Sequence, residues 1–345
     1  MTTTEPTPRG EDGPPPQTAR PLGGGWRIVA AKEFTDNLWS SRFTVLLLLV
    51  GVMTVGAVQA ASSTIRDVAD GVSGQSPFLL LFVVSPQDLP TLSGAVDFSF
   101  VGLVAFLGPL LGIAFGFDAA NNERNQGTLP WLASQPIHRD DVINGKVAAG
   151  LLTIAMAVVT LTVLVGGVGI FRLGVVPDAS ELARLIAFVV ISILYIGLWL
   201  AFAVGCSVLF RRTASSALIA IAAWLVLTIF GTLLAGALAD AIAPTGTNPT
   251  DAEVIRNVQV EQTVRRLSPD ALYDEAVAGI MRPDVRSVDV GDAINVNRLD
   301  RAIPGSLSLP QSLLVVWTQL TVIVSLIIAT FSASYVAFMR QEIRA

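Results

Sequence analysis

Long apolar runs alternating with polar segments organise this chain. Six stretches, residues 43–61, 98–117, 147–171, 185–210, 214–239 and 312–339, are each largely apolar over about 20 residues, the length a helix needs to cross a bilayer. A seventh run, residues 77–84, is too short to cross. Ser76-Pro77 and Ser85-Pro86 bound it, which predicts an interfacial or re-entrant segment. The expected fold class is an all-α integral membrane protein with six transmembrane helices.

The polar segments divide the rest. Residues 1–22 are rich in Pro, Thr and Gly without apolar period and predict a disordered tail; the first apolar core begins far from the N-terminus, so no signal peptide is expected. In residues 23–42, Trp26, Ala30, Phe34 and Leu38 recur every fourth position, with Lys32, Glu33 and Asp36 gathered opposite. This predicts an N-terminal interfacial helix, against the plainer alternative of an extension of the first span. Residues 43–239 hold transmembrane helices 1–5 and a loop at 118–146. Residues 240–311 form a polar external subdomain with 11 acidic and seven basic residues, and residues 312–345 hold the sixth span and its end. In that subdomain Thr250 and Glu253 form a capping-box pattern, Ser268-Pro269 ends the first helix, and a second runs from Pro269 to a stop before Pro283. This predicts a helical external loop between helices 5 and 6.

Charge placement sets the orientation. With both termini cytoplasmic, the inner flanks carry Arg27, Lys32, Arg42, Arg124, Arg139, Lys146, Arg211, Arg212, Arg340 and Arg344, and the short outer flanks only Arg66, Arg172 and Arg184; the seven Arg of the long external loop do not count against this, since loops of that length cross largely regardless of charge. That is a positive-inside pattern in the cell membrane.

Composition narrows the chemistry. Over 345 residues, 52% are hydrophobic and 14% charged, against about a quarter charged in soluble domains. One His and one Cys leave no intrachain disulfide and almost no material for a Cys/His metal cluster or a Ser–His–Asp enzyme, and a net charge of -5 argues against nucleic acid. Apart from Asp118 and Arg184 at span ends, the spans are bare of charge, and Gln59, Gln319 and scattered Ser and Thr are the polar interior. An ion-coupled carrier therefore lacks its usual relay groups. Met53, Met156 and Cys206 are the only soft ligands within spans, with Met339 at the inner end of the last, which argues against direct copper transfer. Gly108-Pro109 predicts a kink in the second span.

The most distinctive segment is the loop between spans two and three. Gly127, Pro130 and Pro136 break any continuous helix, Thr128 caps a short turn through Trp131 and Leu132, and Asp140 and Asp141 suit the N-terminus of the next helix. His138 also lies in this loop. The order Glu123, Gly127-Thr128-Leu129, Leu132, Pro136, Arg139 and Gly145-Lys146 resembles the signature of ABC-2 type permeases, the membrane subunits of ABC transporters. The group that serves nitrous-oxide-reductase maturation, with related bacterial and archaeal subunits, is the most similar in character. The segment Ala30–Phe34, the six spans, the large loop before the last span and Leu267-Ser268-Pro269 with Tyr273 agree with that family.

The resemblance implies that this loop is a coupling helix docking on a cytoplasmic ATP-binding subunit, with Glu123, Gly127, Thr128, Leu129, Trp131, Leu132, Pro136 and Arg139 as the coupling residues. Trp131 and Leu132 would be its apolar knob. Glu123 would pair with a basic residue of the interfacial helix or of the partner, and Arg139 with lipid phosphate or protein. The resemblance further implies a second permease subunit, in a homo- or heterodimer, with membrane lipid around it. No enzyme and no cofactor are expected in this chain. Its one Gly-Lys pair, Gly145-Lys146, is followed by Val147 and lacks the upstream glycine of a phosphate-binding loop, so ATP would be bound by the partner. The resulting expectation is a permease subunit of an ABC-2 exporter. The alternative is an ATP-independent secondary carrier or other polytopic membrane protein; the absence of a visible internal repeat disfavours an inverted-repeat carrier.

Overall fold

The computed structural model describes residues 25–71, 77–84, 99–121, 139–174, 176–246, 249–289 and 306–340, and among these every regular element is a helix. The N-terminal segment forms a helix of its own, α1 (Gly25–Leu38). Trp39 and Ser40 make a turn, the Ser40 hydroxyl donates to the Asn37 carbonyl at 2.6 Å, and α2 (Ser41–Gly71) follows. A continuous extension of the first span is therefore not what the chain adopts.

The short apolar run folds as α3 (Pro77–Val83). Phe78, Leu79, Leu81 and Phe82 are buried, so the segment packs inside the bundle. Edge-on and tilted ring contacts run from Phe78 through Phe82 and Phe100 to Phe188, with centroids 5.6–5.7 Å apart. Next comes α4 (Phe100–Gly116), whose N-cap Ser99 accepts a hydrogen bond from the Gly102 amide. The two long helices α5 (Arg139–Leu173) and α6 (Ala179–Leu209) follow, α6 starting from a capping box in which Asp178 and Glu181 each accept the other's backbone N–H.

The fifth apolar stretch is α7 (Thr213–Leu225), a π turn at Val226–Phe230 and α8 (Gly231–Ile242), in one unbroken rod. The polar segment after it holds α9 (Asp251–Arg265), with the Thr250–Glu253 capping box formed, and α10 (Pro269–Met281), starting at the proline. The last apolar stretch is two helices. Continuity breaks at Val316, between α11 (Leu309–Val315) and α12 (Trp317–Met339), where a single helix was expected.

Among the described residues, five helical segments are long and apolar enough to cross a membrane: Ser41–Gln59, Asp140–Arg172, Ala179–Leu209, Thr213–Ile242 and Trp317–Met339. The second expected span is α4, apolar but only 17 residues, about 25 Å at the helical rise. Large apolar side chains on α2, α7, α8 and α12, among them Val52, Leu218, Leu233 and Ile328, point out of the bundle. Outward-facing apolar surface on several long helices is what a multi-pass membrane protein presents to lipid.

The centre of the bundle is α6, packed against α4, α5, α7, α10 and α12. Its approach to α4 is set by Gly108, Gly112 and Gly116, one per turn. A Cβ at Gly112 would lie 2.5 Å from the Ile196 carbonyl oxygen, and one at Gly116 2.7 Å from that of Leu200, so the backbones meet where no side chain fits. Pro109 sits inside α4 and has no N–H for the Ala105 carbonyl four residues back. The Tyr195 hydroxyl of α6 donates to that carbonyl at 2.9 Å, satisfying a buried acceptor that the proline left open.

Candidate functional site

The sequence-derived coupling residues Glu123, Gly127, Thr128, Leu129, Trp131, Leu132 and Pro136 lie outside the described residues, as do Pro130 and His138. Arg139 is the first residue of α5. The described flanks show how the ends of that loop are held.

At the leading flank, α4 ends at Gly116 and the chain turns. Arg42 donates to Asp118 at 2.7 Å and lays its guanidinium 4.9 Å over the Phe117 ring, tying the turn to the start of α2. The backbone N–H groups of Ala120 and Asn121 both donate to Ser207 Oγ of α6, and the Asn121 amide donates to the Phe210 carbonyl. Asp118 is thus a helix-end ion-pair partner.

At the trailing flank, α5 packs along α1. A Cβ on Gly145 would fall 2.7 Å from Val29 Cβ and 2.8 Å from the Trp26 carbonyl oxygen, so the absence of a side chain lets α1 lie directly on α5. One residue on, Lys146 Nζ donates to Glu33 Oε1 at 3.0 Å, in a pair that is largely shielded from solvent. The two short motifs, Ala30–Phe34 and Gly145-Lys146, meet in space.

The opposite end is built around α10. Pro269, Ala271, Leu272, Tyr273, Ala276, Val277 and Ile280 are buried, so this helix is seated between α4, α6 and α12. Tyr273 stacks on Tyr195 with ring centroids 4.3 Å apart, and its hydroxyl lies 2.9 Å from Ser192 Oγ of α6. Glu275 accepts hydrogen bonds from Gln262, from Arg266 in a bidentate pair, and from Gln319 of α12 at 2.8 Å. One carboxylate therefore joins α9, α10 and the last long helix.

Arg184 of α6, buried among the described residues, donates to the carbonyls of Ile280 (2.6 Å) and Leu307 and to Ser312 Oγ (3.1 Å). It caps the C-terminal end of α10, where the helix dipole favours a cation. Burial pushes the Asp270 carboxyl above its ordinary value, against the lowering effects of Ser268 and Arg265.

These long-range partners were not expected. Arg184 was noted only as a charge at a span end and Gln319 only as interior polarity. Four-residue spacing on the helix beginning at Pro269 does put Asp270 and Asp274 on one face, a signal that was open to reading.

A bundle of long apolar helices, with a helix seated at one end, defines a polytopic membrane protein. The chain matches the ABC-2 family transporter protein family over residues 27–343, and it belongs to that family. It is 28% identical over 204 residues to the probable ABC transporter permease protein NosY of Stutzerimonas stutzeri. That match covers 58% of this chain and 64% of the relative, so the chain spans less than two thirds of that protein's length.

Proposed function

We propose that this chain is the membrane-spanning subunit of an ABC-2 exporter, with six crossings, α4 being the short one, and both termini in the cytoplasm. Two such subunits, identical or not, pair in the membrane, and a separate ATP-binding subunit docks on the loop at residues 122–138. Closure of the ATP-binding subunits pushes that loop, and the push passes into α5 and α1 on one side and into α4 and α6 on the other.

The observation that carries this reading is the Gly145–Lys146 contact with α1, which makes α1 and the loop's exit helix one body. A rigid pair at the loop base is what a push from a partner requires. The family membership and the NosY likeness support the same reading.

The test is whether an ATP-binding protein co-purifies with this chain from its native membranes, followed by nucleotide-driven transport in vesicles. Trp131→Asp and Gly127→Pro are expected to insert normally, lose the bound ATPase and lose transport. Full transport in both variants would defeat the coupling assignment, and transport driven by an ion gradient after ATP depletion would favour a secondary carrier.

A further inference from the structure

The helices α6 and α12 lie side by side and run in the same direction. Near the start of α6, Arg184 donates to Ser312 of α11, the helix that leads into α12, at 3.1 Å. Toward the other end, Ser334 Oγ of α12 lies 3.3 Å from the Ala201 carbonyl, and a Cβ on Gly205 would fall 2.5 Å from that hydroxyl. The sixth residue past Gly205 is Arg211, with Arg212 beside it, and the sixth past Ser334 is Arg340. The parallel register therefore brings three arginines to one level at one end of the bundle.

All three are exposed, and none of their guanidinium groups has a hydrogen bond, ion pair or ring contact among the described residues. Other cations at that end are engaged. Lys32 pairs with Asp36 at 3.4 Å, Arg42 with Asp118 at 2.7 Å and Lys146 with Glu33 at 3.0 Å, while Arg27 lies 5.5 Å over the Trp26 ring. Positive charge at a span end sets orientation wherever it falls. That alone does not account for free arginines meeting at the ends of two adjacent helices.

The surface on their membrane side is apolar. Leu209, on the last turn of α6, is 66% exposed, and Val336 and Met339, at the end of α12, are 45% and 44% exposed. A phosphate-bearing head matches the guanidinium forks, and hydrocarbon chains match the apolar helix ends. A free phosphate would leave the apolar side chains uncovered, and a water-soluble partner would not reach side chains lying within the spans. Basic groups between membrane helices at the bilayer surface are suited to anionic lipid heads.

We propose that the ends of α6 and α12 form a binding site for an anionic phospholipid. Its phosphate head is held by Arg211, Arg212 and Arg340, and its chains lie over Leu209, Val336 and Met339. The site requires only that the chain spans a membrane, so it stands or falls separately from the coupling proposal.

The experiment uses the full chain purified in maltoside micelles and stripped of lipid, with bound lipid counted by native mass spectrometry during titration. The probes are dioleoyl-phosphatidylglycerol, the same chains on phosphatidylcholine, and glycerophosphoglycerol, the anionic head without chains. Saturable binding of phosphatidylglycerol, well above that of phosphatidylcholine, is expected. It should weaken by about fivefold in each of Arg211→Gln, Arg212→Gln and Arg340→Gln, and by about a hundredfold in the triple variant. Arg256→Gln removes one charge at an exposed position on α9 and should bind as the unaltered protein does. Phosphatidylglycerol binding no tighter than phosphatidylcholine, or unaltered affinity in the triple variant, would overturn the proposal. Displacement of the lipid by an equal concentration of glycerophosphoglycerol would also overturn it, in favour of a free anion. A triple variant that keeps its lipid affinity but loses a co-purifying ATP-binding protein would assign the arginines to that partner instead.

Discussion

Lys146 and Glu33 are 113 residues apart in the chain and 3.0 Å apart in the fold, and their ion pair fastens α1 to the base of the loop. The contact rests on the adjacent glycine, since a side chain at Gly145 would hold the two helices apart. Glu33→Gln and Lys146→Gln are each expected to cost about 1–3 kcal/mol, the range for hydrogen bonds to charged groups away from water. A double-mutant cycle read from thermal midpoints checks this: the double variant should lose clearly less than the sum of the singles. Strict additivity would mean that the pair contributes nothing as a pair.

Tyr195 and Pro109 make a coupled prediction. Tyr195→Phe strands the Ala105 carbonyl in an apolar interior, at a cost of about 1–3 kcal/mol. Pro109→Ala restores the amide N–H that would bond that carbonyl within α4. The second substitution should therefore offset the polar part of the first, leaving only the altered packing on Tyr273. Denaturation midpoints of the two singles and the double decide it, and a double no more stable than Tyr195→Phe would show that the carbonyl is not the quantity at stake.

Five long apolar helices, the Thr250–Glu253 cap and the helix start at Pro269 were legible because each is encoded in local pattern: apolar run length, a hydroxyl three positions before a carboxylate, a proline at a first helical turn. The break at Val316 and the π turn at Val226–Phe230 left no such local mark, since both lie in unbroken apolar sequence. The partners of Arg184, 96 and 128 residues away, were likewise beyond local pattern. The loop motif was visible as a resemblance, yet the reason for its Gly145-Lys146 element emerged only when α1 was seen lying on it. A seated α10 was hidden for a related reason. The surrounding stretch is polar enough to suggest an outlying segment, while the helix itself is mostly apolar.

Gly112 supplies a packing prediction. Gly112→Leu would force a side chain against the Ile196 carbonyl and the Leu200 amide, backbone atoms with no freedom to move aside. The expected result is separation of α4 from α6 at a cost well above the 1–3 kcal/mol of about one overpacked methylene, with loss of monodisperse protein on size exclusion. Gly167→Ala on α5, where an added Cβ meets nothing within 4 Å, is the control and should behave as the unaltered protein. Equal behaviour of the two variants would contradict the close α4–α6 approach.

Asp270 gives a pH prediction of defined sign. Burial raises its carboxyl above the ordinary value of 3.8, so in the folded protein the charged form is disfavoured relative to the unfolded chain. Ionisation therefore subtracts from stability: the penalty is absent below pH 3.8 and is complete once the pH exceeds the raised folded value. Asp270→Asn removes the titration while keeping an oxygen to accept from the Ser268 hydroxyl. The variant should unfold at a higher temperature than the unaltered protein near neutral pH, and the gap should close as the pH falls toward 3.8. Melting curves across that range, with Asp178→Asn as the opposite case, measure it. The Asp178 carboxylate is held low by the Glu181 backbone N–H, so losing its charge should lower the midpoint at neutral pH, with that gap closing as acid protonates the unaltered protein. A neutral-pH gain in Asp178→Asn or a loss in Asp270→Asn would reverse the electrostatic roles assigned to the two aspartates.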